Sequence, residues 1–348
     1  SAGTDSLTAT IAGSITPAAL SGVETLTLTL NGGSVNASNI TDVTTVNLQG
    51  AGTTGGSGVV TNLPSTAVQI NQNQDLNTVL LGYGVSSTNA LTLDFDSASE
   101  NITNASTTVL NQGGALTIDG DATRTVDLGS LTAASSTSIA ATKETAALDL
   151  GNVSAAAATS ISVSAGLASG TALTTVGTIA APSLQTATFT DIGTTGAGVF
   201  AVGNITAGDA LTTLTINSAN TGNMTVGNVD VATAGTAAQS LVLDVDWVGA
   251  NANAANTIGN IVMDANDTIT SIDVNRGAGD QADTVGTITA KDIGSINIVT
   301  KNGGGTLTFG SLTGVTGAIG NITMDIDDTV TLPTGDNATS VGDITVTG

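Results

Sequence analysis

The feature that most restricts what this chain can fold into is a glycine flanked by β-branched residues that returns along its C-terminal half. It reads VGTI at 176, VGNI at 202, VGNV at 226, IGNI at 258, VGTI at 285, IGSI at 293, IGNI at 319 and VGDI at 341. Most successive starts lie 22 to 27 residues apart, which is the length of one β-solenoid coil built from two or three short strands and their turns. The segment IGNIVMDANDTIT at 258–270 returns as IGNITMDIDDTVT at 319–331, identical at nine of thirteen positions. This duplication reads as one structural rung written twice. Its glycine is expected to supply a turn conformation that a β-carbon would forbid.

The N-terminal half keeps the rhythm in other words: LTLTL at 26, VTTVNL at 43, AVQINQ at 67, ALTLDFD at 90, ALTIDGD at 115 and AALDLG at 146. Within ALTLDFD, Leu91, Leu93 and Phe95 share one face, and Thr92, Asp94 and Asp96 share the other. The Ala-rich stretches at 131–148 and 152–166 carry too much Ser and Thr, with too little helical period, to be helices, and read as strand or loop. The expected fold is an all-β solenoid with rungs of about 20–27 residues. A β-rich segment over 1–165 precedes a better-phased array over 166–348.

Charge narrows the chemistry. Among 348 residues there are 28 acids against five bases, a net charge of −23, which argues against nucleic acid or an anionic membrane as partner. No apolar run approaches the length of a membrane span. Only Glu24, Glu100 and Glu144 are glutamates; the rest are aspartates, whose short side chains suit turns and metal-ligating loops. Cys and His are absent, so thiolate or imidazole metal sites and a histidine base are excluded. Oxygen-ligand chemistry remains, and calcium is the cation that such a chain would take.

Four aspartate pairs have the same spacing: Asp94 and Asp96, Asp119 and Asp121, Asp244 and Asp246, Asp325 and Asp327. Residues two apart on a strand project from one face about 6.5–7 Å apart, a separation at which two carboxylates lean onto one ion. Each pair has a plainer alternative as a solvated strand face. In the duplicated phrase, Asp264 follows Met263, while Asp267 and Asp328 share the parity of Met263 and Met324, the packing face. A lone buried carboxylate is costly, so these acids are expected either at a corner of the chain or on an ion. RGAGDQADTVG at 276–286 resembles one degenerate turn of the Gly/Asp-rich calcium repeats and adds Asp280 and Asp283 as candidate ligands.

The stretch LSGVETLTLTLNGGSVNASNITDVTTVNLQG at 20–50 resembles segments of bacterial surface-layer proteins of the Caulobacter type and of related type I secreted proteins. The T-L-T-I rungs and the His-free, Cys-free composition extend that likeness loosely over the chain. The resemblance implies a calcium-dependent β-solenoid that tiles a lattice outside the cell, with lipopolysaccharide held by a separate region. Tandem calcium nonapeptides are missing here, which leaves cell attachment unassigned. The expected function is a structural, self-assembling subunit at the bacterial cell surface that binds several calcium ions and has no enzymatic activity. Two alternatives stand beside it. One is a stalk or ligand-binding region of a large adhesin, in which Thr25, Thr27 and Thr29 face a regular surface. The other is a solenoid enzyme acting on polysaccharide with Arg124 or Arg276 as base.

Overall fold

The structure is a computed structural model. It describes residues 3–50, 56–95, 101–120, 124–143, 146–166, 173–193, 198–219, 222–231, 238–248, 255–277, 282–300, 305–313, 317–326, 329–331, 340–341 and 344–347. Among these there is no helix, and every strand pairing within the sheets is parallel. The chain forms a β-solenoid in which each strand bonds to its equivalents one coil away. Two compact units are distinguished, Ser1–Ala158 and Thr159–Gly348.

In the first unit the strands of the first sheet are Ser6–Ile11, Thr25–Leu30, Thr45–Gly50, Gln69–Gln72, Leu91–Phe95, Ala115–Gly120 and Ser138–Lys143. Short strands of a second sheet appear at Ile102–Thr103, Val126–Asp127 and Leu148–Asp149, and a third sheet runs from Ser14–Ile15 to Asn152–Ser154. Among the described residues the first four coils consist of a first-sheet and a third-sheet strand alone. The Ala-rich stretches are strand and turn, as their Ser and Thr content requires.

In the second unit all three sheets are present from the start. A typical coil runs through Leu173–Val176 in the second sheet and Ile179–Ala181 in the third, then into Thr186–Asp191 in the first. First-sheet strands follow at Thr213–Ser218, Ser240–Trp247, Thr268–Arg276, Asp292–Thr300 and Ala318–Ile326. Pro17, Pro64 and Pro182 fall between strands, where the missing amide donor costs nothing.

The interior consists of ladders of one residue per coil. Leu26, Val46, Ile70, Leu93, Ile118 and Ala141 stack in register in the first unit, and all are buried. Val163, Phe189, Ile216, Val245, Val274, Ile298 and Met324 do the same in the second. Aliphatic side chains suffice because a thin coil needs its interior filled only once per turn.

The repeated glycine motif has two structural meanings. At 176, 202, 226, 258 and 285 it joins a second-sheet strand to a third-sheet strand. A β-carbon on Gly227 would lie 2.6 Å from Asn204 Oδ1 and 2.7 Å from the Gly203 carbonyl carbon. Gly259 meets Asn228 and Gly227 in the same way. The requirement for glycine is therefore close vertical stacking rather than the special turn conformation expected from sequence; left-handed glycines are found instead at Gly22, Gly32, Gly129 and Gly151. The asparagine that follows builds a ladder: Asn204 Oδ1 accepts the Asn228 N–H at 2.9 Å, and Asn228 Oδ1 accepts the Asn260 N–H at 2.8 Å. Asn260 Oδ1 in turn accepts the Thr287 N–H at 2.9 Å.

The motifs at 293 and 319 lie elsewhere, inside first-sheet strands. Gly294 stacks on Thr270, the extra residue of a β-bulge where Thr268–Arg276 pairs with Ser240–Trp247, and Gly320 stacks on Gly294 in turn. The two copies of the thirteen-residue phrase are thus not equivalent rungs. The copy at 258–270 spans a corner, a third-sheet strand and a turn, whereas 319–326 is one continuous first-sheet strand.

Candidate functional site

The outward face of the first sheet gathers the acids. In the first unit one row runs Thr27, Asn47, Asn71, Asp94, Asp119, one residue per coil. Asn47 Nδ2 donates to Thr27 Oγ1 at 3.0 Å and Asn71 Nδ2 to Asn47 Oδ1 at 2.8 Å. Gln69 Nε2 donates to Asn71 Oδ1 at 2.9 Å and to Asp94 Oδ2 at 3.4 Å. The amide ladder thus ends on two carboxylates, Asp94 half-buried and Asp119 exposed, on strands about 4.8 Å apart.

The second unit repeats the arrangement more densely. Asp244 stands in register with Asp273, and Asp246 with Asn275 on one side and Asn217 on the other. Burial pushes the Asp244 carboxyl pKa up, and the neighbouring charges of Asp246 and Asp273 push it up further. Ser271 Oγ donates to Asp273 Oδ2 at 2.8 Å. Sequence pairing along one strand finds Asp244 with Asp246 but misses Asp273. Its signal is the alternation of Ile272 and Val274 one coil later, which puts Asp273 on the same outward face.

The other predicted ligands are dispersed. Asp264 and Asp267 close a turn, with the Asp267 N–H donating to the Asp264 carbonyl at 3.0 Å. Asp267 is buried, and its carboxylate accepts the backbone N–H of Gln239 at 2.9 Å and of Asp264 at 3.2 Å. Of the two expectations for this acid, a corner of the chain is what the geometry gives. Asp283 is fully buried, and its Oδ2 accepts the Nε–H of Arg276 at 2.6 Å. Its charge is met by a guanidinium, and Arg276, a candidate base at the sequence level, is sealed in the core. Asp325 is exposed on its strand. Asp96, Asp121, Asp280, Asp327 and Asp328 lie outside the described residues.

A further acidic ladder was missed. Asp127 and Asp149 stack in register in the second sheet, and each accepts the N–H of the left-handed glycine two residues on, Gly129 at 2.7 Å and Gly151 at 2.8 Å. Burial raises the Asp127 pKa, the Gly129 N–H lowers it, and Asp149 raises it. The D-L-G spacing, an acid two residues before a glycine, is the signal for it.

Calcium takes six to eight oxygens. Among the described residues no three acidic side chains converge closely enough to hold one ion. The donor sets fit calcium only as partial shells of two carboxylates, Asp94 with Asp119 and Asp244 with Asp273, and a closed cage is not formed within the described chain. Of the described cations, Lys143 and Arg276 are buried, and Lys291 lies 3.7 Å from its neighbour Asp292.

Comparison with protein-family models, with curated proteins and with solved structures gives no match. Among the described residues no helix is long and apolar enough to cross a membrane.

Proposed function

We propose that this chain is a structural subunit of an extracellular bacterial surface array, in which calcium draws the acidic first-sheet faces of neighbouring copies together. The observation that supports this reading is the in-register stacking of Asp244 on Asp273 beside Asp246, where every resolved influence on Asp244 opposes its ionisation. Two carboxylates from one copy leave most of a calcium shell open, and a facing copy is a natural source of the remaining oxygens. With dissociation constants of about 0.1–1 mM, millimolar calcium contributes roughly 0.4–1.4 kcal/mol per site. Summed over the many contacts of a lattice, such contributions add up.

The test is a calcium titration followed by light scattering and electron microscopy, with the variant Asp244→Asn/Asp246→Asn/Asp273→Asn alongside. Ordered sheets that form with calcium, dissolve in chelator and fail in the variant support the reading. Sheets that persist unchanged in chelator, or a variant that assembles normally, refute it.

One observation favours the adhesin reading as well. Ser160, Ser162 and Ser164 stack in register on Thr186, Thr188 and Thr190, and Thr213, Thr215 and Asn217 follow. This uncharged, evenly spaced hydroxyl grid suits contact with a regular surface. Isolated rods in calcium, bound by that grid to a solid glycan or mineral, would select it over the array.

A further inference from the structure

The outward face of the first sheet in the second unit opens with a patch that carries no charge. Ser160, Ser162 and Ser164 stand in register with Thr186, Thr188 and Thr190, and these with Thr213, Thr215 and Asn217. Neither pairing contains a bulge, so the patch is a regular grid of eight hydroxyls and one amide. Its repeats are about 4.8 Å from strand to strand and about 6.8 Å between outward residues along a strand. The residues between them, among them Ile161, Val163, Leu214 and Ile216, point inward and are buried, so the grid stands on a packed support. Threonine adds stiffness, since branching at its β-carbon restricts χ1. The grid ends at the next strand, where Asp244 and Asp246 stand beside Thr215 and Asn217.

Among the described residues no hydrogen bond engages the side chains of Thr186, Thr188, Thr190, Thr213 or Thr215. The first unit opens in a similar way, with Ser6, Thr8 and Thr10 on Thr25, Thr27 and Thr29. There Asn47 Nδ2 donates to Thr27 Oγ1 at 3.0 Å and Thr29 Oγ1 donates to Gln49 Oε1 at 3.3 Å, so amides of the next coil already engage the hydroxyls. The second-unit grid is the one open to a ligand.

Its chemistry selects among regular surfaces. Crystalline polysaccharides present C–H faces that call for aromatic side chains, the largest apolar surfaces a protein offers, and all six aromatic residues of this chain are buried. Ionic minerals call for charged groups, and the grid has none. A second copy laid face to face would desolvate the hydroxyls with no apolar area in return. A water lattice needs what the grid provides: neutral groups that donate and accept, at fixed repeats, with methyl groups between them. The two repeats lie close to those of the oxygen rows on a prism plane of hexagonal ice. We propose that this face binds ice, its hydroxyls ordering a layer of water that joins the crystal. The sheet already holds the side chains in place, so little is lost in ordering them on contact, and contacts through water are nearly as favourable as direct ones. This function rests on the grid meeting a regular surface, as described above, and does not involve calcium.

The test uses the full chain with chelator present throughout, so that calcium-driven assembly plays no part. In a nanolitre osmometer the chain should facet ice crystals and arrest their growth over a measurable interval below the melting point. Amine-labelled chain should adsorb to the prism planes of a single-crystal ice hemisphere. Thr188→Lys places a long charged side chain at the centre of the grid and should lose both effects. Its circular dichroism melt should be unchanged, because Thr188 lies on the outward face. Thr188→Ser keeps the hydroxyl and should retain part of the activity. Val85→Lys, at a 68% exposed position on the third-sheet strand Thr78–Ser87, should behave as the wild type. A chain that neither shapes nor adsorbs to ice overturns the proposal, as does a folded Thr188→Lys protein that still does both. Capture by crystalline cellulose or hydroxyapatite without ice shaping also overturns it but keeps the regular-surface reading, whereas binding to none of the three removes both.

Discussion

Replacing Arg276 with Met should destabilise the second unit more than almost any surface change, and the structure sets the scale. Arg276 ends the strand Thr268–Arg276, in register with Trp247 on one coil and Thr300 on the next. Its Nε–H donates to Asp283 Oδ2, and both side chains are 0% exposed. Asp283 Oδ1 also accepts the Asn256 N–H at 2.8 Å, and Asn256 Oδ1 accepts the Met224 N–H at 2.9 Å, so the pair anchors a chain of bonds across coils. Removing the guanidinium leaves a buried carboxylate without its counter-charge, a loss of about 3–5 kcal/mol. For a unit of this size each kcal/mol shifts the melting temperature by about 2–4 °C, so a fall of roughly 6–20 °C is expected. The double variant Arg276→Met/Asp283→Asn removes both charges and keeps an acceptor for Asn256, and should recover most of that loss. Circular dichroism melts give the global figure. Hydrogen exchange over Thr268–Arg276 and Ala282–Val285 separates it from local opening, which a stacked array permits. A single variant costing less than about 1 kcal/mol, or a double variant no better than the single, would refute the ion pair as the anchor.

Gly259→Ala should cost about 1–3 kcal/mol, because the new methyl meets Asn228 Oδ1 at 2.6 Å and the Gly227 backbone at 2.8 Å; urea denaturation without a shift in midpoint would count against the stacking account. Asp267→Ala strips the acceptor from the Gln239 and Asp264 N–H groups and should cost about 1–3 kcal/mol by the same assay, while Asp267→Asn should cost less. Asp244 has a folded-state pKa above its unfolded value, so the native state holds more protons there and stability falls as pH rises through that interval. Asp244→Asn should therefore flatten this part of the pH–stability curve, and a variant with the wild-type slope would refute the assignment. Carboxyl-carbon NMR should show the raised Asp244 pKa moving down when millimolar calcium is added, and a titration curve indifferent to calcium would remove Asp244 from the proposed contact.

Much of the fold was legible because a solenoid repeats its physics at every coil. Alternation in ALTLDFD identifies Leu91, Leu93 and Phe95 as the interior, and all three are buried. The parity of Asp267 with Met263 marked it as needing either a corner or an ion, and a turn with two backbone donors is what it has. What failed was phase. Identical words at 258 and 319 do not reveal that one glycine packs against an asparagine oxygen while the other stacks on a glycine inside a strand, because that difference lies in the neighbouring coil. The candidate site was legible along a strand but not across it. Asp244 and Asp246 are two residues apart, whereas Asp273 reaches the same face only through register.

The two settings of the duplicated phrase carry a consequence for how the chain assembles itself. A segment that can serve either as a corner with its neighbours or as an unbroken strand cannot choose on its own; the layer already laid down must choose for it. Growth of the stack can then spread outward from wherever a first coil forms, each turn copying its offset from its neighbour, as a crystal takes its orientation from the seed. An early mistake in offset would be inherited by every later turn, so fidelity must be concentrated at the coil where copying starts.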